Sequence, residues 1–418
     1  MERQEVLELL SQKINGDINL SFDHLAALTG YSKRQLIRLS KELKEKGIEE
    51  VRIHGNKGST AHNRAGESEI DYISKVKELY PIITIAQFRD IYIEDYILNP
   101  DKQDDVKEYN LKERSTSFFQ HLFKVKGWVS PVKHRVKYNS DSIHTLRMRS
   151  PRIGMLVQID GTPFDWFGDG RMYTLHLAID DASNDLLAGW FTKNECMYGY
   201  CKMMEIIIKN KGVPKCLYSD RHSILKAQVE FHKTKLGEIM DRFDIEMIYA
   251  NTPQAKGRIE RYNGTAQRRL PNDIRRFDIK DYDELNIWFN EFYIPYLNKK
   301  FAITPIDPNS EFIVLPEKYD INSLFTYESN ARILDGNMFI RKGTYYVPYD
   351  KKDDVVKIRK STTVVVVYFI LEQKYRLKYF GKLYDVKIVG YKDISESKVI
   401  DNHKELNEFI ANLDSAKS

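Results

Sequence analysis

The stretch from residue 153 to 270 constrains the fold most, because its apolar runs are short and regularly interrupted by turn formers. Three of them, "MLVQIDG", "MYTLHLAID" and "DLLAGWF", are separated by "FGDGR" and "DASN". This spacing predicts three consecutive antiparallel strands. "MYGYCKMMEIIIKN" then has helical spacing, and "KCLYSD" reads as a buried strand ending in an acid. "TKLGEIMDRFD" is a short helix, "IEMIYA" another strand, and "PQAKGRIERYNGTAQRRL" a last helix with Pro253 near its first turn. Three strands, helix, strand, helix, strand, helix is the order of a mixed sheet flanked by helices.

The 418 residues leave room for other domains on either side. Residues 1–60 read as a small helical domain. In "NLSFDHLAALTGYSKRQLIRLSKELKEKG" a helix, a turn at Gly30 and a second helix follow each other, with Ser32 and Gln35 as a capping box. Leu25, Leu28, Leu36, Leu39 and Leu43 form the apolar stripe, and Lys33, Arg34, Gln35, Arg38 and Lys41 fall on or near the outer face. That is the pattern of a helix-turn-helix whose second helix enters the major groove. The alternative is a plain helical hairpin with a solvated basic face. After the linker "HGNKGSTAHNRAGES", residues 68–150 form a second helical domain and a basic stretch. Between 124 and 152 lie Lys124, Lys126, Lys133, Arg135, Lys137, Arg147, Arg149 and Arg152 against one acid, Asp141. Such a stretch suits an arm tracking a nucleic-acid backbone, or else a solvated linker. The core domain spans 151–305, ending in the aromatic-rich helix "DYDELNIWFNEFYIPYL". From 325 to 395, short strands alternating Lys or Arg with Tyr, Val and Ile predict a small β-barrel with a basic outer face. Residues 396–418 are a polar tail.

Composition excludes some classes. With 42% hydrophobic and 30% charged residues the chain is globular, not disordered. Cys196, Cys201 and Cys216 contain no CxxC pair, so neither a zinc ribbon nor a disulfide framework is favoured. No signal-peptide pattern and no run of 18 apolar residues is present, so a cytoplasmic protein without a membrane partner is expected. The net charge of +5 is modest, so the distribution of charge carries any conclusion about partners.

Three carboxylates stand where elements of the mixed sheet can converge. Asp160 ends the first strand, Asp220 ends the fourth, and Glu260 lies in the last helix. Three acids at one edge repel each other unless cations share the site. Hard oxygen ligands with open positions suit Mg2+ or Mn2+, and two such ions would serve in-line displacement at a phosphodiester. On the last helix Lys256, Glu260, Asn263, Gly264 and Gln267 share a face at helical spacing. Glu260 would point to the metals while Lys256, Arg258 and their neighbours hold phosphates. Gly257 and Gly264 weaken that helix by about 1 kcal/mol each relative to Ala, which close approach of a nucleic-acid backbone would explain. Asp165, Asp169, Asp180 and Asp181 read as turn or strand-edge acids, His222 as a structural or metal-proximal residue, and Trp166 and Trp190 as core or dimer packing.

"LVQIDGTPFDWF", "LAIDDASNDLLAGWF", "LYSDRHSIL" and "NTPQAKGRIERYNGT" resemble the catalytic core of DDE transposases, the retroviral-integrase-like superfamily, and within it the bacterial insertion-sequence transposases grouped as ISNCY. The family's acidic triad falls on Asp160, Asp220 and Glu260, the last two 40 positions apart. The resemblance implies an RNase H-like fold, divalent metal, DNA as substrate, strand transfer by a 3′-hydroxyl, and a homodimer or higher assembly on DNA. Many relatives carry Lys or Arg seven positions after the glutamate. Here Gln267 stands there, followed by Arg268 and Arg269, so the DNA contact is expected from Gln267 or Arg269, alongside Lys256, Arg258 and Asn263. No His/Cys set for the retroviral zinc-binding domain is present, and the helix-turn-helix would replace it. The competing classes are a non-catalytic DNA-binding protein derived from a transposase, and an RNase H-like nuclease.

Overall fold

The computed structural model describes residues 1–52, 64–132, 148–220, 225, 233–250 and 257–391. Its first third is helical: α1 (Arg3–Asn15), α2 (Phe22–Thr29), α3 (Lys33–Arg52), α4 (Glu67–Leu79), α5 (Ile85–Ile91), α6 (Gln103–Glu108) and α7 (Thr116–Lys126). A mixed α/β region follows, with β1 (Val157–Phe164), β2 (Tyr173–Asp180), β3 (Leu186–Thr192), α8 (Met197–Asn210), β4 (Cys216–Ser219), α9 (Lys235–Arg242), β5 (Glu246–Tyr249), α10 (Gly257–Arg276), α11 (Tyr282–Trp288) and α12 (Ile294–Phe301). The last region is all-β. It comprises β6 (Thr326–Arg332), β7 (Phe339–Arg341), β8 (Thr344–Tyr349), β9 (Thr363–Phe369), β10 (Lys374–Tyr379) and β11 (Lys382–Tyr391). Among the described residues no helix is long and apolar enough to cross a membrane.

The chain divides into two units, Met1–Leu79 with Ile91–Glu113, and Tyr80–Asp90 with Arg114–Ser418. The stretch expected to form one domain, 68–150, is therefore split, and its residues 133–147 lie outside the described ones. In the first unit Val6, Leu7 and Leu10 of α1 pack with Leu25, Leu36, Leu39 and Leu43. The Ser32 capping box is present. Gln35 N–H donates to the Ser32 hydroxyl at 3.3 Å, and Ser32 N–H donates to the Gln35 amide oxygen at 3.0 Å. Leu28 departs from the expected stripe at 61% exposure. In the short α2 the inward positions are Leu25 and Thr29, whose hydroxyl donates to the Leu25 carbonyl at 2.7 Å.

In the second unit Phe88 of α5 sits edge-on to Phe119, Phe123 and Trp128. Its neighbour Gln87 donates to the Arg269 carbonyl at 2.8 Å and the Asp273 carboxylate at 3.1 Å, which ties α5 to α10. Those ties explain why residues 80–90 leave the helical unit.

The central sheet has the order β3-β2-β1-β4-β5. The first three strands are antiparallel, and β1, β4 and β5 run parallel. Each parallel join needs a crossover, supplied by α8 and α9. Val157 and Ile159 pack with Tyr200, Met203, Met204, Ile239 and Met240 on one face. Leu175, Leu177 and Phe191 pack with Ile259, Ala266, Leu270, Phe289 and Tyr293 on the other. An unpaired edge strand is a liability. Here the edge of β3 is covered by asparagines: Asn290 both accepts from Gly189 N–H (3.0 Å) and donates to its carbonyl (2.7 Å). Asn286 does the same at Phe191 and Asn298 at Leu186.

The C-terminal strands form one sheet, β6-β9-β10-β11-β8-β7, around Ile333, Phe339, Val364, Val366 and Leu377. It curls into a nearly closed barrel, and Arg341 of β7 bridges the seam to the Ser329 hydroxyl and Asn330 carbonyl of β6. Phe325, at the barrel's start, packs on Phe243 with ring centroids 5.0 Å apart.

Candidate active site

Side chains alternate along β1, so Gln158, Asp160 and Thr162 share the face opposite Val157 and Ile159. Helix α10 lies along that polar line. Ile259 N–H donates to the Gln158 amide oxygen at 3.3 Å. The Asn263 amide donates to Asp160 Oδ2 at 2.8 Å, and the Gln267 amide to the Thr162 hydroxyl at 2.9 Å. Four helical residues rise about 6 Å and two strand residues about 6.6 Å, so helix and strand run in one direction and stay in step. Glu260, exposed in the first turn, lies one turn before Asn263.

Asp220 follows directly on β4. The parallel register pairs Val157 with Leu217 and Gln158 with Tyr218. Numbered on in the same step, the residue opposite Asp160 would be Asp220, two places past the last paired residues and just beyond the end of β4. Both acids also act on Tyr200 of α8. Burial pushes its phenol well above its ordinary range, with Glu195, Asp160 and Asp220 adding to the effect. Among the described residues no three acidic, His or Cys side chains converge closely enough to hold one ion by themselves. Asp160 and Asp220 thus belong to neighbouring strands, and Glu260 to the docked helix. Two features fit a hydrated hard cation. The donors are carboxylate oxygens, and the buried Asn263 Oδ1, beside Asp160, has no hydrogen-bond partner in the protein and can accept from a bound water.

The residues expected to contact DNA from α10 are placed otherwise. Arg258 meets the Asp181 carboxylate at 2.5 Å, with side chains 16% and 0% exposed. Arg269, 7% exposed, meets Asp90 at 3.0 Å. Asn263 and Gln267 face β1. Lys256 and His222 lie outside the described residues. The polar stripe of α10 faces inward because the strand beneath it is itself polar at Gln158, Asp160 and Thr162. Helical periodicity alone does not distinguish that from a solvated stripe. The outward ridge is instead Arg261, Arg268 and Arg275, all exposed and with no ion-pair partner among the described residues. In the helical unit Lys33 pairs with Asp23 at 2.7 Å, Arg38 lies 3.7 Å from Glu42, Arg34 is exposed, and the Gln35 side chain is engaged in the capping box. Asp165, Asp169 and Asp180 serve turns and strand ends, whereas the Asp181 carboxylate holds Arg258 and Gln158: Asp165 accepts from the N–H groups of Gly168, Asp169 and Gly170. Asp180 accepts from Gly154, Ala182 and Ser183. Trp166 is core.

Sequence reasoning missed the opposite wall. The Tyr200 hydroxyl donates to Glu195 Oε1 at 2.7 Å. Glu195 crowds Gly161, where a Cβ would fall 2.7 Å from its carboxyl carbon. A glycine inside a strand, directly after Asp160, was the available signal. His176 fixes the start of α8. Its Nδ1–H donates to the Trp190 carbonyl at 3.0 Å and its Nε2 accepts Cys196 N–H at 3.1 Å, which requires a neutral ring. Burial lowers its pKa from 6.5 to about 4. Below pH 6.5 the unfolded chain takes up a proton that the folded ring refuses until about pH 4. The stabilisation is therefore complete above 6.5 and is lost as pH falls through that window, by up to about 3 kcal/mol. Chemical unfolding at stepped pH is expected to show this slope in wild type and a flatter one in His176→Gln.

The chain is 31% identical over 306 residues to the y4bF protein of Sinorhizobium fredii (strain NBRC 101917 / NGR234), which carries a transposase name; the match covers 72% of this chain and 62% of that protein. It is 29% identical over 289 residues to the transposase for insertion sequence IS1202 of Streptococcus pneumoniae, covering 67% of this chain and 60% of the relative. The chain thus spans about three-fifths of the length of these relatives. No protein-family model matches it. Solved structures with similarity include a simian T-cell lymphotropic virus intasome in complex with PP2A regulatory subunit B56 gamma, at 14% identity, 60% of this chain, 90% of that one and a TM-score of 0.31. The HTLV-2 integrase catalytic core domain in complex with magnesium gives 18%, 34%, 87% and 0.26.

Proposed function

We propose that this chain, a homologue of insertion-sequence transposases, binds the ends of a mobile DNA element, cuts a phosphodiester at each end and joins the freed 3′-hydroxyl to target DNA. The observation that supports this most is helix α10 docked along β1, with Asn263 on Asp160 and Glu260 one turn before it, beside the parallel strand β4 that leads to Asp220. The sheet order β3-β2-β1-β4-β5 supports an RNase H-like core.

Asp160, Asp220 and Glu260 would hold the divalent cations, two ions of Mg2+ or Mn2+. Bound there, they supply charge neutralisation at the phosphodiester and activation of the attacking oxygen. Asn263 orients the Asp160 carboxylate through its amide N–H. The Arg258–Asp181 pair fixes the start of α10 and hence Glu260. No side chain acts as a covalent nucleophile.

DNA runs along the outward ridge of α10. Arg261, Arg268 and Arg275 recur every seven residues, about 10.5 Å apart, so the three span about six base pairs of rise. End recognition falls to α2 and α3 as a helix-turn-helix, with Arg34 and Arg38 toward DNA and Lys33 flanking them. Two ends must be joined at once, so the working form is a homodimer or larger assembly. Arg268→Ala is expected to weaken binding to all sequences alike and to reduce the slope of log K against log salt by about 1. A titration at four salt concentrations reads it, and an unchanged slope would remove Arg268 from the path.

The test is product analysis. The full chain is incubated with DNA carrying the sequences that flank its gene, with Mg2+ or Mn2+. Cut and joined products are expected. Nicks without joining would make it an RNase H-like nuclease, and binding without any cut a non-catalytic DNA-binding derivative.

A further inference from the structure

The turn between β10 and β11 breaks a local rule. Tyr379 pairs with Lys382, so the loop is only Phe380 and Gly381. Their φ angles are +44° and +73°. Two-residue hairpins with both residues left-handed favour Asn-Gly, and bulky side chains rarely adopt that region. Yet Phe380 occupies the first position at 87% exposure, where its ring lies against that of its neighbour Tyr379, with centroids 4.4 Å apart. The ring buries almost nothing, so folding gains little from it. Unfavourable local choices without a structural return mark functional positions.

The charge around the tip indicates the partner. The hairpin carries Lys374, Arg376, Lys378, Lys382 and Lys387 against a single acid, Asp385. Arg376, Lys378 and Lys387 have carboxylate partners, whereas Lys374 and Lys382 have none among the described residues. An aromatic ring projecting between cations is the combination that binds nucleic acid, by base stacking and phosphate contact.

We propose that the β10–β11 tip is a DNA contact in which Phe380 stacks on a nucleobase while Lys382, which has no carboxylate partner among the described residues, meets a flanking phosphate. The identity of the partner rests on the transposase reading above; the tip geometry does not.

The full chain is compared as wild type, Phe380→Asn and Phe380→Trp. Affinity for DNA is read by fluorescence anisotropy, stacking by 2-aminopurine placed in the DNA, and folding by thermal melting. Phe380→Asn, which suits the turn, is expected to melt at the same or a higher temperature. It is also expected to bind about tenfold more weakly and to leave 2-aminopurine unquenched. Phe380→Trp is expected to keep both affinity and quenching. Wild-type affinity in Phe380→Asn overturns the inference, and would point to a protein or lipid partner for the tip. A lower melting temperature in Phe380→Asn also overturns it, because the ring would then be structural. Wild type that binds no DNA removes the transposase reading, and this inference with it.

Discussion

Glu260→Gln is expected to lower both cutting and joining of DNA by about a thousandfold or more, while DNA binding stays within about twofold. The substitution removes one charge and almost no volume from an exposed position in the first turn of α10, so folding is not at stake. Asp160→Asn and Asp220→Asn are expected to give the same loss, because each removes one carboxylate of the proposed triad. Single-turnover assays on labelled ends measure it. Near wild-type rates in any of the three would dissolve the proposed triad.

Asp181→Ala should produce the largest loss of stability, about 3–5 kcal/mol in chemical unfolding. Asp181 is fully buried, and its carboxylate meets Arg258, the Gln158 amide, and both the N–H and hydroxyl of Ser150. Deleting it withdraws the carboxylate from a guanidinium that is itself mostly buried. Removing both charges with Asp181→Ala and Arg258→Met should recover part of the loss, since two apolar groups replace a pair that was costly to bury. A loss below about 1 kcal/mol in the single variant would mean that Arg258 is satisfied without Asp181. Because Arg258 lies two residues before Glu260, the single variant should also slow catalysis more than its stability loss alone explains.

The alternation of short apolar runs and turn residues from 153 to 250 was enough to read every strand and helix of the central sheet in order. The periodic signals there, two for strands and 3.6 for helices, are backed by a common core. Ser32 and Gln35 likewise announced the start of α3 correctly. The domain division was not legible. Gln87 and Phe88 look like any amphipathic helix in sequence, and only their long-range partners, α10 and α7, draw residues 80–90 into the larger unit. The direction of the polar face of α10 was hidden for a related reason. Arg258, Asn263, Gln267 and Arg269 read as solvent-facing because polar residues usually are. Each is engaged by a side chain contributed from distant sequence: Asp181, Asp160, Thr162 and Asp90. Glu195 and Tyr200 escaped notice because their approach to β1 depends on the missing side chain of Gly161.

The most direct test of the central claim is joining of a pre-cut element end to target DNA in Mg2+ or Mn2+, with the end carrying either a 3′-hydroxyl or a 3′-deoxy terminus. Wild type is expected to join only the 3′-hydroxyl end, and Glu260→Gln neither. Joined product from the 3′-deoxy end, or equal joining by Glu260→Gln, would contradict strand transfer at the site built from Asp160, Asp220 and Glu260.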